Sequence, residues 1–149
     1  MEGLVVREAT ASDVPQILAL YRSAGIESET PFTPEEAQEH FAVFARYPSY
    51  RIFAAILEGE MVGAYELLIM DNLAKHGRRS GIVEDVAVSP QHQGCGIGRA
   101  MMQHARQQCH EAGCYKLALS SGLGRTDAHA FYDSLGFERH VFSFRAALD

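Results

Sequence analysis

The stretch from Gly81 to Gly113, GIVEDVAVSPQHQGCGIGRAMMQHARQQCHEAG, restricts the fold more than any other part of the chain. It reads as a strand over Ile82 to Val88, a glycine-rich loop and a long helix. The strand is β-branched and apolar apart from Glu84 and Asp85, an unusual composition for a buried strand. Ser89-Pro90 ends it, because proline has no N–H to give a ladder and restricts the residue before it. The Ala/Met/Gln/Arg-rich run that follows the loop has good helix propensity.

The glycines between strand and helix have a physical use. Without a Cβ they take positive φ and let backbone N–H groups come close to a ligand. A helix start adds unpaired donors and the positive end of the macrodipole, so the place suits a phosphate. The dinucleotide fingerprint G-x-G-x-x-G fails, because counting from Gly94 and Gly96 its third glycine falls on Arg99. A Walker loop fails too, for want of a Gly-Lys-Ser/Thr ending. The pattern present is Q/R-x-x-G-x-G/A, met by Gln93, Gly96 and Gly98.

Composition narrows the remaining choices. A chain of 149 residues supports one domain with a real core, so a single domain over 1–149 is expected. No apolar run reaches the roughly 18–20 residues of a membrane span, and MEGLVVREAT lacks a signal pattern, which points to the cytoplasm. Three cysteines, Cys95, Cys109 and Cys114, show no C-x-x-C spacing, and the seven histidines show no metal-ligand pairing, so no metal is expected. A net charge of −6 argues against nucleic acid and is compatible with a cationic amine.

The rest of the chain reads as support. Leu4 to Arg7 is a short strand, and a helix capped by Thr10 or Ser12 runs to Ala24 and stops at Gly25. Thr33-Pro34-Glu35-Glu36 starts a second helix with a capping box, running to about Tyr47. Tyr50 to Leu57 and Met61 to Met70 make a hairpin around Glu58-Gly59-Glu60. Asp71 to Ser80 is the one basic loop, either a solvated connection or a lip that attracts an anionic group. Tyr115 to Ser120 is a strand, Arg125 to Leu135 a short helix, and Phe137 to Ala146 the expected closing strand. The order β-α-α-β-β-β-α-β-α-β predicts an α/β fold, a mixed sheet with helices on both faces.

The glycine loop resembles the acetyl-CoA pyrophosphate loop of the GNAT superfamily of N-acetyltransferases. Asp127-Ala128-His129-Ala130-Phe131-Tyr132-Asp133-Ser134-Leu135-Gly136-Phe137 is similar to a second motif of that superfamily, A-x-x-F-Y-x-x-x-G-F, with one residue fewer between Ala128 and Phe131 than some members show. Residues 82–88 and 113–117 look like glucosamine-6-phosphate N-acetyltransferases. Residues 125–132 and 143–145 look like aminoalkylphosphonate N-acetyltransferases.

The resemblance implies a GNAT fold whose central strands splay to admit acetyl-CoA as cosubstrate. Backbone groups of Val86, Ala87 and Val88 would hold the pantetheine and thioester, and amides of Gln93, Gly94, Cys95, Gly96, Ile97, Gly98 and Arg99 the pyrophosphate. Tyr132 would protonate the leaving thiolate. Alternation places Ile82, Glu84, Val86 and Val88 on one face, with Glu84 as general base, as an anchor for the cationic amine, or in a salt bridge with Arg79. Asp85, Arg79, Ser120, Arg125 and Arg145 would meet the substrate, a small amine that carries an anionic group in both subfamilies. Ser120 departs from the sugar-phosphate enzymes, which have an aspartate there. Homodimers are frequent in the superfamily, and Phe142 and Phe144 would suit such an interface. A peptide acetyltransferase and a non-catalytic CoA-sensing module are the competing readings.

Overall fold

β2, Tyr50–Leu57, and β3, Glu60–Met70, form a hairpin around Glu58 and Gly59, whose φ values of 50° and 82° suit the right-handed twist of the flanking strands. The structure, a computed structural model, describes residues 1–148. On one side of the hairpin lies β1, Leu4–Glu8, and on the other β4, Arg79–Val88, each antiparallel to its neighbour. β5, Cys114–Leu119, adjoins β4 and completes the order β1-β2-β3-β4-β5. Because a helix intervenes between β4 and β5, their connection is a crossover and the sheet is mixed.

Two helices cover the two faces. α1, Val14–Ala24, lays Ile17 and Leu20 against Ile52, Ala54, Ala64 and Ala87. It ends at Gly25, which takes φ 75° and caps it. α2, Pro34–Phe41, begins with the expected box: the Glu36 amide donates to Thr33 Oγ1 at 3.2 Å and the Thr33 amide to Glu36 Oε2 at 2.9 Å. It continues to Arg46 only as a 3₁₀ stretch, short of the expected Tyr47.

α3, Ile97–Glu111, packs on the opposite face through Ile97, Met101, Met102, Ala105 and Cys109, all buried. Close approach depends on two strand glycines. A Cβ at Gly63 would stand 2.9 Å from Ile97 Cγ2, and one at Gly81 would run into Cys109 Sγ. Burial pushes the Cys109 thiol up to about 12, so it behaves as a small apolar filler.

The chain divides into two compact units, residues 1–118 and residue 119 onward. The second contains α4, Thr126–Ser134, ended by Gly136 at φ 80°. The expected closing strand over Phe137 to Ala146 does not form. That segment is irregular, with Phe142 and Phe144 86% and 92% exposed. Loose alternation of aromatic residues is compatible with a strand, but a strand also needs an edge to pair with, which local sequence does not encode.

Candidate active site

β4 carries one residue more than β3 along their shared edge. Ala87 pairs with Ala64 and Glu84 with Glu66, so Asp85 and Val86 together oppose Tyr65 in a β-bulge. Asp85 sits at φ 48°, a left-handed conformation that aspartate tolerates but that is uncommon within a strand. The inserted residue corrects the expected alternation. Glu84 shares its face with Ala87, towards α1, whereas Val88 opposes Gly63 on the α3 face. One extra residue reverses parity for everything beyond it.

The bulge brings the β4 carboxylates against a residue that sequence reasoning missed. Glu66 on β3 is only 7% exposed. Tyr50 donates its O–H to Glu66 Oε2 at 2.7 Å, and Tyr21 on α1 donates to Oε1 at 3.5 Å. Burial raises the Glu66 carboxyl from 4.5 to about 7; the Tyr50 hydrogen bond opposes this, and the Asp85 and Glu84 carboxylates add to it. Asp85 lies within side-chain hydrogen-bond reach of Glu66, and this contact also raises the Glu66 carboxyl. Burial and the nearness of Glu66 also push both phenols above their ordinary value. A signal was present in the sequence: Glu66 is the single charged residue from Met61 to Met70.

Beyond β4 the chain makes a 3₁₀ turn over Pro90–His92 and enters the glycine loop. Gly94 and Gly96 take φ values of 76° and 89°, and Gly96 stands as the N-cap of α3 with no side chain capping the helix. The amides of Ile97, Gly98 and Arg99 therefore have no acceptor within the helix. Ile97 is buried at 1% exposure and anchors this start from beneath. Gln93 and Cys95 flank the turn, with the exposed Cys95 thiol donating to the Gln93 carbonyl at 3.8 Å. The loop thus presents backbone donors and a helix dipole, a setting made for an anion. Among the described residues, no group of three or more His, Cys, Asp or Glu is arranged to hold a metal ion.

The arginines are dispersed. Arg79 Nε donates to Asp71 Oδ1 at 3.2 Å, so its ion pair is with Asp71 and not with Glu84. Arg78 stacks its guanidinium over the Tyr115 ring at 5.7 Å. Ser120, Arg125, Tyr132 and Arg145 all belong to the second unit. There Arg125 is the N-cap of α4, and His129 Nε2 lies 2.8 Å from the Gly122 carbonyl. Tyr132 packs against Phe131 and Phe137, with ring centroids 5.2 and 5.7 Å away. Burial pushes the Tyr132 phenol above its ordinary value, with the Arg125 charge opposing, so the group keeps its proton at neutral pH. Arg145 stands on the exposed irregular segment.

Residues 15–137 match the Acetyltransferase (GNAT) family. The chain belongs to the GNAT acetyltransferase family. It is thereby an N-acetyltransferase, in a family whose cosubstrate is acetyl-CoA. It is 33% identical to a glucosamine 6-phosphate N-acetyltransferase of Trypanosoma brucei brucei over 66% of this chain and 65% of that one. An aminoalkylphosphonate N-acetyltransferase of Salmonella typhimurium is 28% identical over 96% of this chain and 90% of its own. An aminoglycoside N(6')-acetyltransferase of Stenotrophomonas maltophilia is 30% identical over 97% and 94%. Among solved structures, a putative acetyltransferase from Agrobacterium tumefaciens superposes with a TM-score of 0.90 at 33% identity, covering 97% of this chain and 99% of that one. The GNAT fold and the kinship to both predicted subfamilies are as the two motifs implied.

Proposed function

We propose that this GNAT enzyme transfers the acetyl group of acetyl-CoA directly to a primary amine of a small molecule. The observation that carries the reading is the unbroken run from β4 into α3. Exposed carboxylates Glu84 and Asp85 stand on the strand, and the glycine-capped helix start that follows is suited to a pyrophosphate. In this reading the backbone of Val86, Ala87 and Val88 holds the pantetheine and thioester, and the amides from Gln93 to Arg99 hold the pyrophosphate. Glu84 is the base or the amine's anchor, and a strand amide, that of Val88, serves the developing oxyanion. Tyr132 supplies the proton for the thiolate, as its raised pKa permits. The family match runs across both compact units, which supports treating residues 1–149 as one catalytic domain.

The relatives named for an amino-sugar phosphate and an aminoalkylphosphonate support an amine that also carries a phosphorus oxyanion. Arg78, Arg125 and Arg145 are its candidate partners, more than Arg79, which already pairs with Asp71. The aminoglycoside relative, together with the carboxylates on β3 and β4, supports a polyamine as the second reading. No helix among the described residues is long and apolar enough to cross a membrane, and we place the enzyme in the cytoplasm. The exposed Val141, Phe142 and Phe144 support a homodimer, which sedimentation of the purified chain tests.

Thiol release from acetyl-CoA across glucosamine 6-phosphate, aminoalkylphosphonates, polyamines, aminoglycosides, amino acids and a lysine peptide tests the function. Turnover confined to small amines is the expected result, with Tyr132→Phe losing most of it and keeping its affinity for CoA. Turnover on the peptide alone sinks the small-molecule reading. Tight CoA binding without turnover, unchanged in Tyr132→Phe, favours a sensing module.

A further inference from the structure

Glu66 has an environment that a purely structural residue would not need. Its neighbours are two phenols, Tyr21 on α1 and Tyr50 on β2, and two carboxylates of β4, Glu84 and Asp85. A glutamine would keep the shape and accept the short Tyr50 hydrogen bond on its one oxygen at no cost in charge, whereas a buried carboxylate among other carboxylates is expensive. Asp85 adds a second costly feature. It holds a left-handed conformation at φ 48° inside a strand, where the bulge brings it onto Glu66. Glu66 is buried and Asp85 exposed, so the pair joins a dry carboxyl to the surface on which the proposed amine would sit.

We propose that Glu66 is a positioning residue of the acetyl-transfer site that acts through Asp85, the proton that the substrate ammonium must lose passing by way of Asp85 to the buried Glu66 carboxylate. The inference rests on the amine acetylation proposed above. An ammonium, R–NH3⁺, has no lone pair and cannot attack a thioester. One N–H bond breaks first, its electron pair stays on nitrogen, and the proton passes to Asp85 and on to Glu66. The C–N bond then forms and the C–S bond breaks. A second proton leaves nitrogen and arrives at the thiolate, giving R–NH–CO–CH3 and the free thiol of CoA. The first proton returns to water when the pair resets, so one proton is released per turnover.

The chemistry requires an acceptor of this kind. A carboxyl in water holds a proton about a million times more weakly than an alkylammonium, so it draws one off inefficiently. A carboxyl that titrates at about 7 closes roughly half of that gap and is still available near neutral pH. The phenols stay protonated and keep the carboxyl oriented without competing for the proton.

The test is the pH profile of kcat/KM for Glu66→Gln against the wild type, with any amine the wild type acetylates. The expected wild-type profile rises through about pH 7. In the variant that limb is gone, and kcat/KM at pH 7 falls at least tenfold with the KM for acetyl-CoA unchanged. The deficit closes above pH 9, where the amine loses its proton to water unaided. A variant within twofold of wild type at every pH, or depressed equally at every pH, overturns the proposal. Glu66→Asp, which keeps a titrating group, restores part of the neutral-pH rate. A wild type inactive towards every amine refutes the function proposed above, and infrared difference spectra then judge the pair by itself. A protonated carboxyl band that vanishes between pH 6 and 8, is absent in Glu66→Gln and titrates lower in Asp85→Asn supports it. The same band surviving in Glu66→Gln overturns it.

Discussion

Replacing Glu66 by glutamine also changes stability, in a manner that requires no substrate. The native carboxyl titrates at about 7 against 4.5 for the ordinary group, so between those values the folded protein binds a proton that the unfolded chain has released. The sign follows. A raised native value means that stability present below pH 4.5 is lost as pH rises towards 7, with no further loss above. At about 1.4 kcal/mol for each tenfold change in proton affinity, the whole window is worth about 3 kcal/mol, of which about 2.5 kcal/mol falls between pH 5 and 8. Glutamine has the same shape, accepts from Tyr50 and lacks the titration. Urea unfolding of both proteins at pH 5, 6, 7 and 8 isolates the effect of Glu66 and the groups that touch it, because titrating groups remote from Glu66 cancel in the difference. Relative to wild type, the variant should gain about 2–3 kcal/mol over this range, most of it below pH 7. A difference constant with pH would mean that Glu66 titrates alike in both states, and the burial and carboxylate-pair argument would fail.

Two further substitutions test the packing. Gly81→Ala places a methyl against Cys109 Sγ and 3.3 Å from Leu117 Cδ1, so α3 must lift from the sheet; thermal unfolding should report a loss on the order of 1–3 kcal/mol. Asp13→Asn removes the charge and one of the two oxygens that accept from Arg7 at 2.7 and 3.0 Å; those bonds, ahead of all other causes, lower this carboxyl from 3.8 to about 2. Because the native value is depressed, the benefit is present above pH 3.8 and lost as pH falls through about 2. With the Arg7 side chain 43% exposed and screened, about 1 kcal/mol is expected at pH 7, narrowing towards pH 2.5 in urea titrations.

Features written in contiguous residues were legible before the coordinates. Thr33 and Glu36 lie three apart and cap each other; Glu58-Gly59 turns the hairpin; the spacing of Gly94, Gly96 and Gly98 announces the loop. Features that depend on register were not. The Asp85 bulge arises where β4 is held to β3 on both sides by fixed pairs, and no residue near Asp85 signals a left-handed φ. Glu66 was hidden for the same reason. Its partners Tyr21 and Tyr50 are 45 and 16 residues away, and only the sheet and α1 together make them neighbours. The segment from Phe137 shows the converse error, a strand pattern in residues that form no strand.

The glycine turn before α3 has a practical consequence. Cys95 stands exposed between two glycines at positive φ, while Cys109 is buried with its thiol raised to about 12 and Cys114 is half-buried. A mild alkylating reagent at neutral pH will therefore modify Cys95 well ahead of the others. Any anion seated on the surrounding amides would shield that sulfur, so the labelling rate becomes a built-in gauge of cosubstrate occupancy. It serves every variant considered above, inactive ones included, without introducing a dye.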